Sequence, residues 1–343
     1  MPQHDNDYAL VLGINDYPKY RPLRGAIPDA EEFAKWLVDD VRGGGLPDTH
    51  VETIISKAAP LTPIRDQIDD ALNALMEKAA GNGGGRRFYL FFSGHGLADL
   101  TSSMSRTALC LGLWSESRRN YAMDAECYTN FVVHSQKFTE VVLFADCCRV
   151  RKVSAHGQCP TYENILPHPS PGSVKQFRAH ATDLMDQAFE AAVGADEEVR
   201  GHFSRALMNG LWGAAAEAGG GVKALRLKKY LEDEVPRLAL ASKHKQKPVI
   251  VPEFADADEP IFGCAVPTPS EPNVKITFAN TGAGLYELEG PQIDQFQSWD
   301  ANAGIWELTL TVGTYILRRK SGGFEKRIRV DSLVDMLEVD DAS

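Results

Sequence analysis

The chain has 343 residues, 43% hydrophobic and 24% charged, enough to bury a large core and to divide into two domains. Its formal net charge of −11 repels phosphate backbones and anionic surfaces, so neither nucleic acid nor membrane is expected as a partner. No run reaches the roughly 18 apolar residues of a membrane span, and the opening MPQHDNDYALVLGIN lacks the basic start and apolar length of a secretory leader.

Tyr8 to Ile14 is a short apolar run stopped by Asn15 and Asp16, which reads as a first buried strand. Residues 16–30, DYPKYRPLRGAIPDA, carry three prolines and form a loop. Asp29 to Val38 then has helical period, with Ala30, Phe33, Ala34, Leu37 and Val38 on one face, and Pro28 suits the helix start. Val51 to Ser56 reads as a strand and Thr62 to Ala80 as a helix presenting Ile64, Ile68, Leu72 and Leu75. The glycines of residues 81–85 end that helix; without a following Lys-Ser/Thr and helix they are a turn and not a phosphate loop.

Two apolar runs come next, RRFYLFFSGHG at 86–96 and VVLFADCCR at 141–149. Each opens on β-branched, aromatic or aliphatic residues and stops at small or polar ones, the pattern of a strand buried on both faces. His95 and Cys148 follow those strands, at the sheet end where α/β proteins bind ligands. Between them Thr107 to Leu113 reads as a strand and Tyr128 to Ser135 as a helix. Further on, Val174 to Thr182 reads as a strand, Ser204 as the N-cap of a helix, Leu225 to Leu240 as another helix and Pro248 to Phe254 as a proline-interrupted edge strand. This alternation implies an α/β fold, a doubly wound, mostly parallel sheet with helices on both faces. TPSEPN at 268–273 reads as a linker, dividing the chain into domains 1–267 and 268–343. Beyond it VKITFAN, LYELEG, GIWELTLTV, TYILRRK and FEKRIRV are short strands of a small all-β, sandwich-like domain.

Six cysteines are scattered without zinc spacing or disulfide density, which points to reduced thiols and a cytoplasmic setting. A thiol with an imidazole at hand is a candidate nucleophile; the plain alternative is a pair of core cysteines and a loop histidine.

SGHG followed by a strand ending Asp-Cys-Cys-Arg resembles the caspase-like clan of cysteine peptidases, nearer the metacaspases and their bacterial relatives than animal caspases. The resemblance covers roughly residues 7 to 263. The family's own signature sets the His about 50 residues before the Cys, and here the separation is 53. What the resemblance implies is a caspase-like sheet and a cysteine endopeptidase. Cys148 would be the nucleophile, Cys147 would face the other side of the strand, and His95 would be the acid–base partner. The backbone N–H groups of Gly96 and Cys148 would form the oxyanion hole. Leu23, Gly25 and Asp29 match the family's L-x-G-C-x-x-D pattern, with Ala26 in place of its Cys. Asp29 and Asp146 would then form a pocket for Arg or Lys before the scissile bond of a protein or peptide substrate. Asp29 as a plain helix cap is the other reading, and Arg24 could reverse the pocket's sign.

No cofactor is expected. Calcium activates some metacaspases, but no acidic loop of calcium-ligand spacing is present. Residues 149–173, rich in proline and basic at the start, read as an activation segment open to an upstream protease. LTVGTYILRR resembles the hairpins of PEGA-type and carboxypeptidase-regulatory-like modules, which implies binding or support. The rival of the peptidase reading is a catalytically idle caspase-fold scaffold that binds through its C-terminal β domain.

Overall fold

The computed structural model describes residues 4–59, 61–62, 64–99, 106–150, 156–161, 174–193, 198–216, 221–255, 259–263, 272–278, 284–290, 297–310, 313–330 and 337–340. In chain order the elements that frame the site are β1 (Asp7–Gly13), α1 (Ala26–Val38), β2 (Val51–Ile55), α2 (Arg65–Gly81), β3 (Gly85–Ser93), β4 (Gly96–Asp99), β5 (Arg106–Cys110), β6 (Ala122–Asp124), α3 (Ala125–Ser135), β7 (Phe138–Asp146), β8 (Lys175–His180), β9 (Glu190–Val193), β10 (Glu198–Gly201), α4 (His202–Asn209), α5 (Ala224–Ala241) and β11 (Val249–Glu253).

Six of these strands form the central sheet, in the order β11-β8-β7-β3-β1-β2. All neighbours run parallel except β11, which closes the β8 edge antiparallel. The fold is α/β, as the alternating pattern implies. The order reverses at β1, where the chain first steps to β2 and then returns to β3 on the other side, a topological switch point of the kind that collects ligands at strand ends.

Each face of the sheet buries its own core. Ile68, Leu72 and Leu75 of α2 and Tyr128 and Val132 of α3 pack on Leu10, Leu90 and Leu143. On the opposite face Phe33, Trp36 and Leu37 of α1, Leu207 of α4 and Leu227 and Leu231 of α5 pack on Val11, Phe91 and Phe144. Alternate residues of one strand serve both clusters because side chains switch face at each position.

Three expected elements differ in detail. The strand near Thr107 lies outside the central sheet, in a three-stranded antiparallel sheet of β4, β5 and β6. Helix α1 starts at Ala26, ahead of Pro28, because the distant Asn15 side chain accepts from the N–H groups of Ala26 and Ile27 at 2.9 and 3.3 Å. Ser204 is not a cap: α4 starts at His202, and Ser204 sits inside its first turn.

The C-terminal strands are β12 (Val274–Thr277), β13 (Leu285–Glu289), β14 (Gln297–Asp300), β15 (Trp306–Leu308), β16 (Gly313–Arg319), β17 (Glu325–Val330) and β18 (Leu337–Asp340). They make a three-stranded sheet, β15-β12-β18, and a four-stranded sheet, β14-β13-β16-β17. Between the two lies a core that includes Val274, Ile276, Tyr286, Leu288, Leu317 and Ile328. β14 and β18 carry no strong apolar run, and they acquire strand structure by pairing with β13 and β12. The linker residues 268–271 lie outside the described residues. Among the described residues no helix is long and apolar enough to cross a membrane.

Candidate functional site

His95 leaves the end of β3 and Cys148 stands two residues past β7, so the parallel pairing of β3 with β7 brings both to one edge of the sheet. They line a cleft together with Asp29, Asp146, Ala188, Glu190 and Gly201. Of the five residues singled out from the sequence, Asp29, His95, Asp146 and Cys148 therefore converge from separate parts of the chain, and Gly96 lines the adjoining cleft with His95 and Cys148.

The His95 ring is fixed from several sides. Its Nε2 donates to the Arg21 carbonyl at 2.7 Å, which sets the tautomer with a proton on Nε2. Tyr17 and Tyr20 pack against the ring at 4.7 and 4.8 Å. The Tyr17 hydroxyl accepts from the His95 backbone N–H at 2.9 Å and donates to the Cys110 carbonyl at 3.0 Å. Neither Tyr17 nor the Arg21 carbonyl carries a signature in the sequence, since both come from an irregular, proline-rich loop.

Cys148 is not part of a disulfide. Its Sγ lies against both polar groups of Ala188, donating to the carbonyl at 3.4 Å and accepting from the N–H at 3.3 Å. Cys147 is fully buried, and burial pushes its thiol well above the ordinary range, which leaves it inert toward electrophiles. Gly96 is required where it stands: a Cβ there would meet the Cys147 Sγ at 2.4 Å and the Cys148 carbonyl at 2.6 Å.

The acidic end of the cavity is closed by the chain itself. Arg200, at the end of the β9–β10 hairpin, places Nε 2.6 Å from Asp29 Oδ1 and pairs through Nη1 with Glu32. The next residue, Gly201, donates its N–H to Asp29 Oδ2 at 3.1 Å. A side chain at 201 would collide with Asp146 Oδ2 at 2.1 Å and Asp29 Oδ2 at 3.0 Å, so only glycine fits between the two carboxylates. Asp146 accepts from the Ser204 N–H at 2.9 Å, at the start of α4, where the helix dipole favours a negative group. Burial raises the pKa of both carboxylates, with Arg200 opposing the shift at each. Glu190 accepts from the N–H of Gly25 at 2.8 Å, which ties the hairpin to the start of α1. Arg24, whose side chain is exposed, donates its own backbone N–H to Glu190. Arg200, Glu32 and Glu190 are the site residues that sequence reasoning missed. Asp29 is neither a plain cap nor an open pocket acid, because its partner comes from 171 positions away.

The chain matches the model of the Peptidase_C14 caspase domain over residues 6–255. It belongs to that family. It is 27% identical over 266 residues to a probable protease of a Desulfuromonadales bacterium, covering 72% of this chain and 32% of that relative, so the chain spans about a third of that relative's length. Two solved structures are distantly similar. A protein of Geobacter sulfurreducens shares 16% identity with a TM-score of 0.46 over 73% of this chain and 94% of its own. The structure of pro-sf-caspase-1 shares 13% with a TM-score of 0.42 over 73% of this chain and 88% of its own.

Within this caspase domain the expectation of an active Cys–His endopeptidase, cleaving after Arg or Lys, is corrected. The six scattered cysteines are expected to be reduced, but Cys127 of α3 is joined to Cys159 in a disulfide, a state that argues against the reduced thiol chemistry a cysteine peptidase needs. Cys148 lies outside that bond, but its thiol is held by Ala188, and the pocket meant for a basic substrate residue is taken by Arg200. The family stands and the activity is not carried forward. Of the expected activation segment, residues 151–155 and 162–173 lie outside the described residues. Gly157 and Thr161, which are described, donate backbone N–H bonds to Asp99 and Asp69. Among the described residues no three His, Cys, Asp or Glu side chains come together as a metal cage.

Proposed function

We propose that this caspase domain is a catalytically idle scaffold that binds a protein partner through its C-terminal β strands. The observation that carries the reading is an unbroken run of ion pairs from the cleft to those strands. Asp29 pairs with Arg200 and Arg200 with Glu32; Glu32 in turn accepts from Arg327 of β17 at 3.0 Å. A basic side chain arriving from outside competes for Asp29 with a guanidinium that is already buried and already shared with a second carboxylate. Displacing it exposes two buried charges at once, a cost that an incoming peptide must exceed.

The C-terminal strands are seated on the caspase domain by further charge. Arg318 of β16 reaches Glu234 of α5 at 3.1 Å and also pairs with Glu289, while Glu325 of β17 receives Arg205 at 2.6 Å and Arg237 at 2.9 Å. The division into units 1–267 and 268–343 belongs to this proposal. So does a cytoplasmic setting, against which the Cys127–Cys159 disulfide weighs. Asp29, His95, Gly96, Asp146 and Cys148 are proposed as cleft residues, with a protein as partner and neither nucleic acid nor membrane.

The test is turnover of an Arg- and Lys-containing peptide library by wild type beside Cys148→Ala. No turnover by either protein is expected. Cleavage by wild type that disappears in Cys148→Ala overturns the idle reading.

A further inference from the structure

The chain that follows Cys148 flanks both edges of the small sheet β4-β5-β6: Val150 bridges to Leu97 of β4, and Gln158 bridges to Met123 of β6. Residues 156–161 form a strap along the β6 edge. Gln158 donates its N–H to the Ala122 carbonyl at 2.8 Å and accepts from the Asp124 N–H at 3.0 Å. On one side of it Gly157 donates its N–H to Asp99 Oδ2 at 3.2 Å, and on the other Thr161 donates its N–H and hydroxyl to Asp69 Oδ2 at 3.1 and 2.6 Å. Both carboxylates are buried. In the middle of the strap stands the Cys127–Cys159 disulfide, a covalent link among hydrogen bonds.

The surroundings of this bond differ from those of the other cysteines. Cys110 and Cys147 are buried, and burial pushes both thiols well above the ordinary range, which takes them out of thiol exchange at neutral pH. Cys159 is exposed and Cys127 half-buried, so an incoming thiolate meets the bond from the Cys159 side. Attack there makes Cys127 the leaving group. Cys127 lies in the first turn of α3, where the helix end favours a negative sulfur. Two acids share that turn, and both are engaged: Asp124 by Arg106 at 2.9 Å and by the Cys127 N–H at 2.7 Å, Glu126 by the N–H and hydroxyl of Thr107 at 2.7 and 3.1 Å. Exposure and a stabilised leaving group are the marks of a disulfide that exchanges readily.

We propose that the Cys127–Cys159 bond is an exchange site for a protein dithiol of the C-x-x-C type, and that its reduction releases the strap while the central sheet stays folded. One thiolate of the dithiol attacks Cys159 Sγ and forms a mixed disulfide; the Cys127–Cys159 bond breaks, and its electron pair leaves on Cys127 Sγ, which takes a proton from water. The second thiol of the dithiol then displaces Cys159 Sγ, which is protonated in turn. The dithiol has supplied both electrons and ends as an internal disulfide. Only hydrogen bonds then hold the strap, and a short surface segment held in that way opens locally, without global unfolding. In a reducing compartment such a bond is a transient sensor, and in an oxidising one it stays closed. The inference does not rest on the idle reading, since it concerns the strap and not turnover.

The experiment uses the full wild-type chain without denaturant, in millimolar dithiothreitol or in buffer alone. Iodoacetamide labelling read by mass spectrometry should find Cys127 and Cys159 blocked before reduction and both labelled after it, with the amides of β3 and β7 still protected from hydrogen exchange. The amides of Asp124, Gly157, Gln158 and Thr161 should exchange at least tenfold faster in the reduced chain, and oxidised dithiothreitol should restore their protection. Cys159→Ser should show the fast exchange in both buffers. A C-x-x-C protein whose second cysteine is replaced by serine should be trapped as a mixed disulfide on Cys159. Labelling that waits for β3 and β7 to lose protection, strap exchange unchanged by reduction, or failure to trap the dithiol protein on Cys159 overturns the proposal.

Discussion

Phe33, at the centre of one face of the main sheet, meets Phe91 at 4.6 Å, Phe144 at 5.7 Å, Trp36 at 5.8 Å and Tyr89 at 6.1 Å, all by ring contact. Arg318, on the face that the C-terminal sheet turns toward the caspase domain, meets Glu234, Glu289 and Glu325, all by charge. The first region is joined by dispersion and by removal of apolar area from water, which salt and pH barely touch. The second is joined by partly exposed ion pairs whose worth depends on geometry, protonation and ionic strength. The aromatic face is therefore the permanent part of the molecule. The charged seam is where the relation between the C-terminal strands and the cleft can be altered.

The largest effect should come from the aromatic face. Phe33→Ala removes the ring at the centre of the cluster and should destabilise the protein by about 3–5 kcal/mol, seen in urea unfolding, with no change of that loss between low salt and 1 M salt. A loss that varies strongly with salt would contradict the division drawn between the two regions.

A smaller effect is expected at the seam. Glu234→Ala removes one of the two carboxylates that Arg237 and Arg318 share, leaving only Glu325 between them. The cost should be about 2–3 kcal/mol, less than for a fully buried pair because Arg237 is about a third exposed. Hydrogen exchange should locate the loss in β16 and β17 and leave β3 and β7 protected, and 1 M salt should reproduce part of it in wild type. Uniform loss of protection across both regions would show that the seam and the sheet unfold as one.

The most specific effect is in pH, and near neutral pH it is also the smallest. Burial lowers the pKa of His180 to about 3, and burial with Arg205 nearby lowers that of His202 to about 4. Each ring is neutral when folded but takes up a proton when unfolded below about 6.5. Their stabilising contribution is present above pH 6.5 and is lost as pH falls toward the folded values. Asp29 and Asp146 have the opposite sign. Their raised pKa values mean that the folded state holds protons the unfolded state has released, so their contribution is lost as pH rises. His202→Gln should therefore flatten the fall in stability between pH 6.5 and 4 by up to one proton, about 1.4 kcal/mol per pH unit. An unchanged slope would place His202 outside the linkage.

Much of the fold was legible in the residues. The runs FYLFF and VVLFA could only be strands buried on both faces, and the spacing of Ile68, Leu72 and Leu75 could only be one side of a helix, because these patterns are set by neighbours in sequence. The C-terminal alternation implied β structure for the same reason. Strands β14 and β18 were missed because their residues carry too little apolar pattern to be read before pairing. At the site, His95 and Cys148 were named by motif, and the β3–β7 pairing then placed them together.

Local pattern could not reach the contacts that decide the cleft's state. Arg200 is 171 positions from Asp29, and Arg327 is 295 from Glu32; nothing in either neighbourhood marks one as the other's partner. The same holds for Cys127 and Cys159, whose separation of 32 resembles no motif and whose bond depends on Cys159 meeting the first turn of α3. An ion pair or a disulfide depends on distance in space, and the chain's own order carries that distance only where a regular element ties position to direction. By itself the sequence determined the strands, the helices and the family motif, whereas the occupant of the acidic pocket and the charged seam behind it were decided only when the sheet had folded.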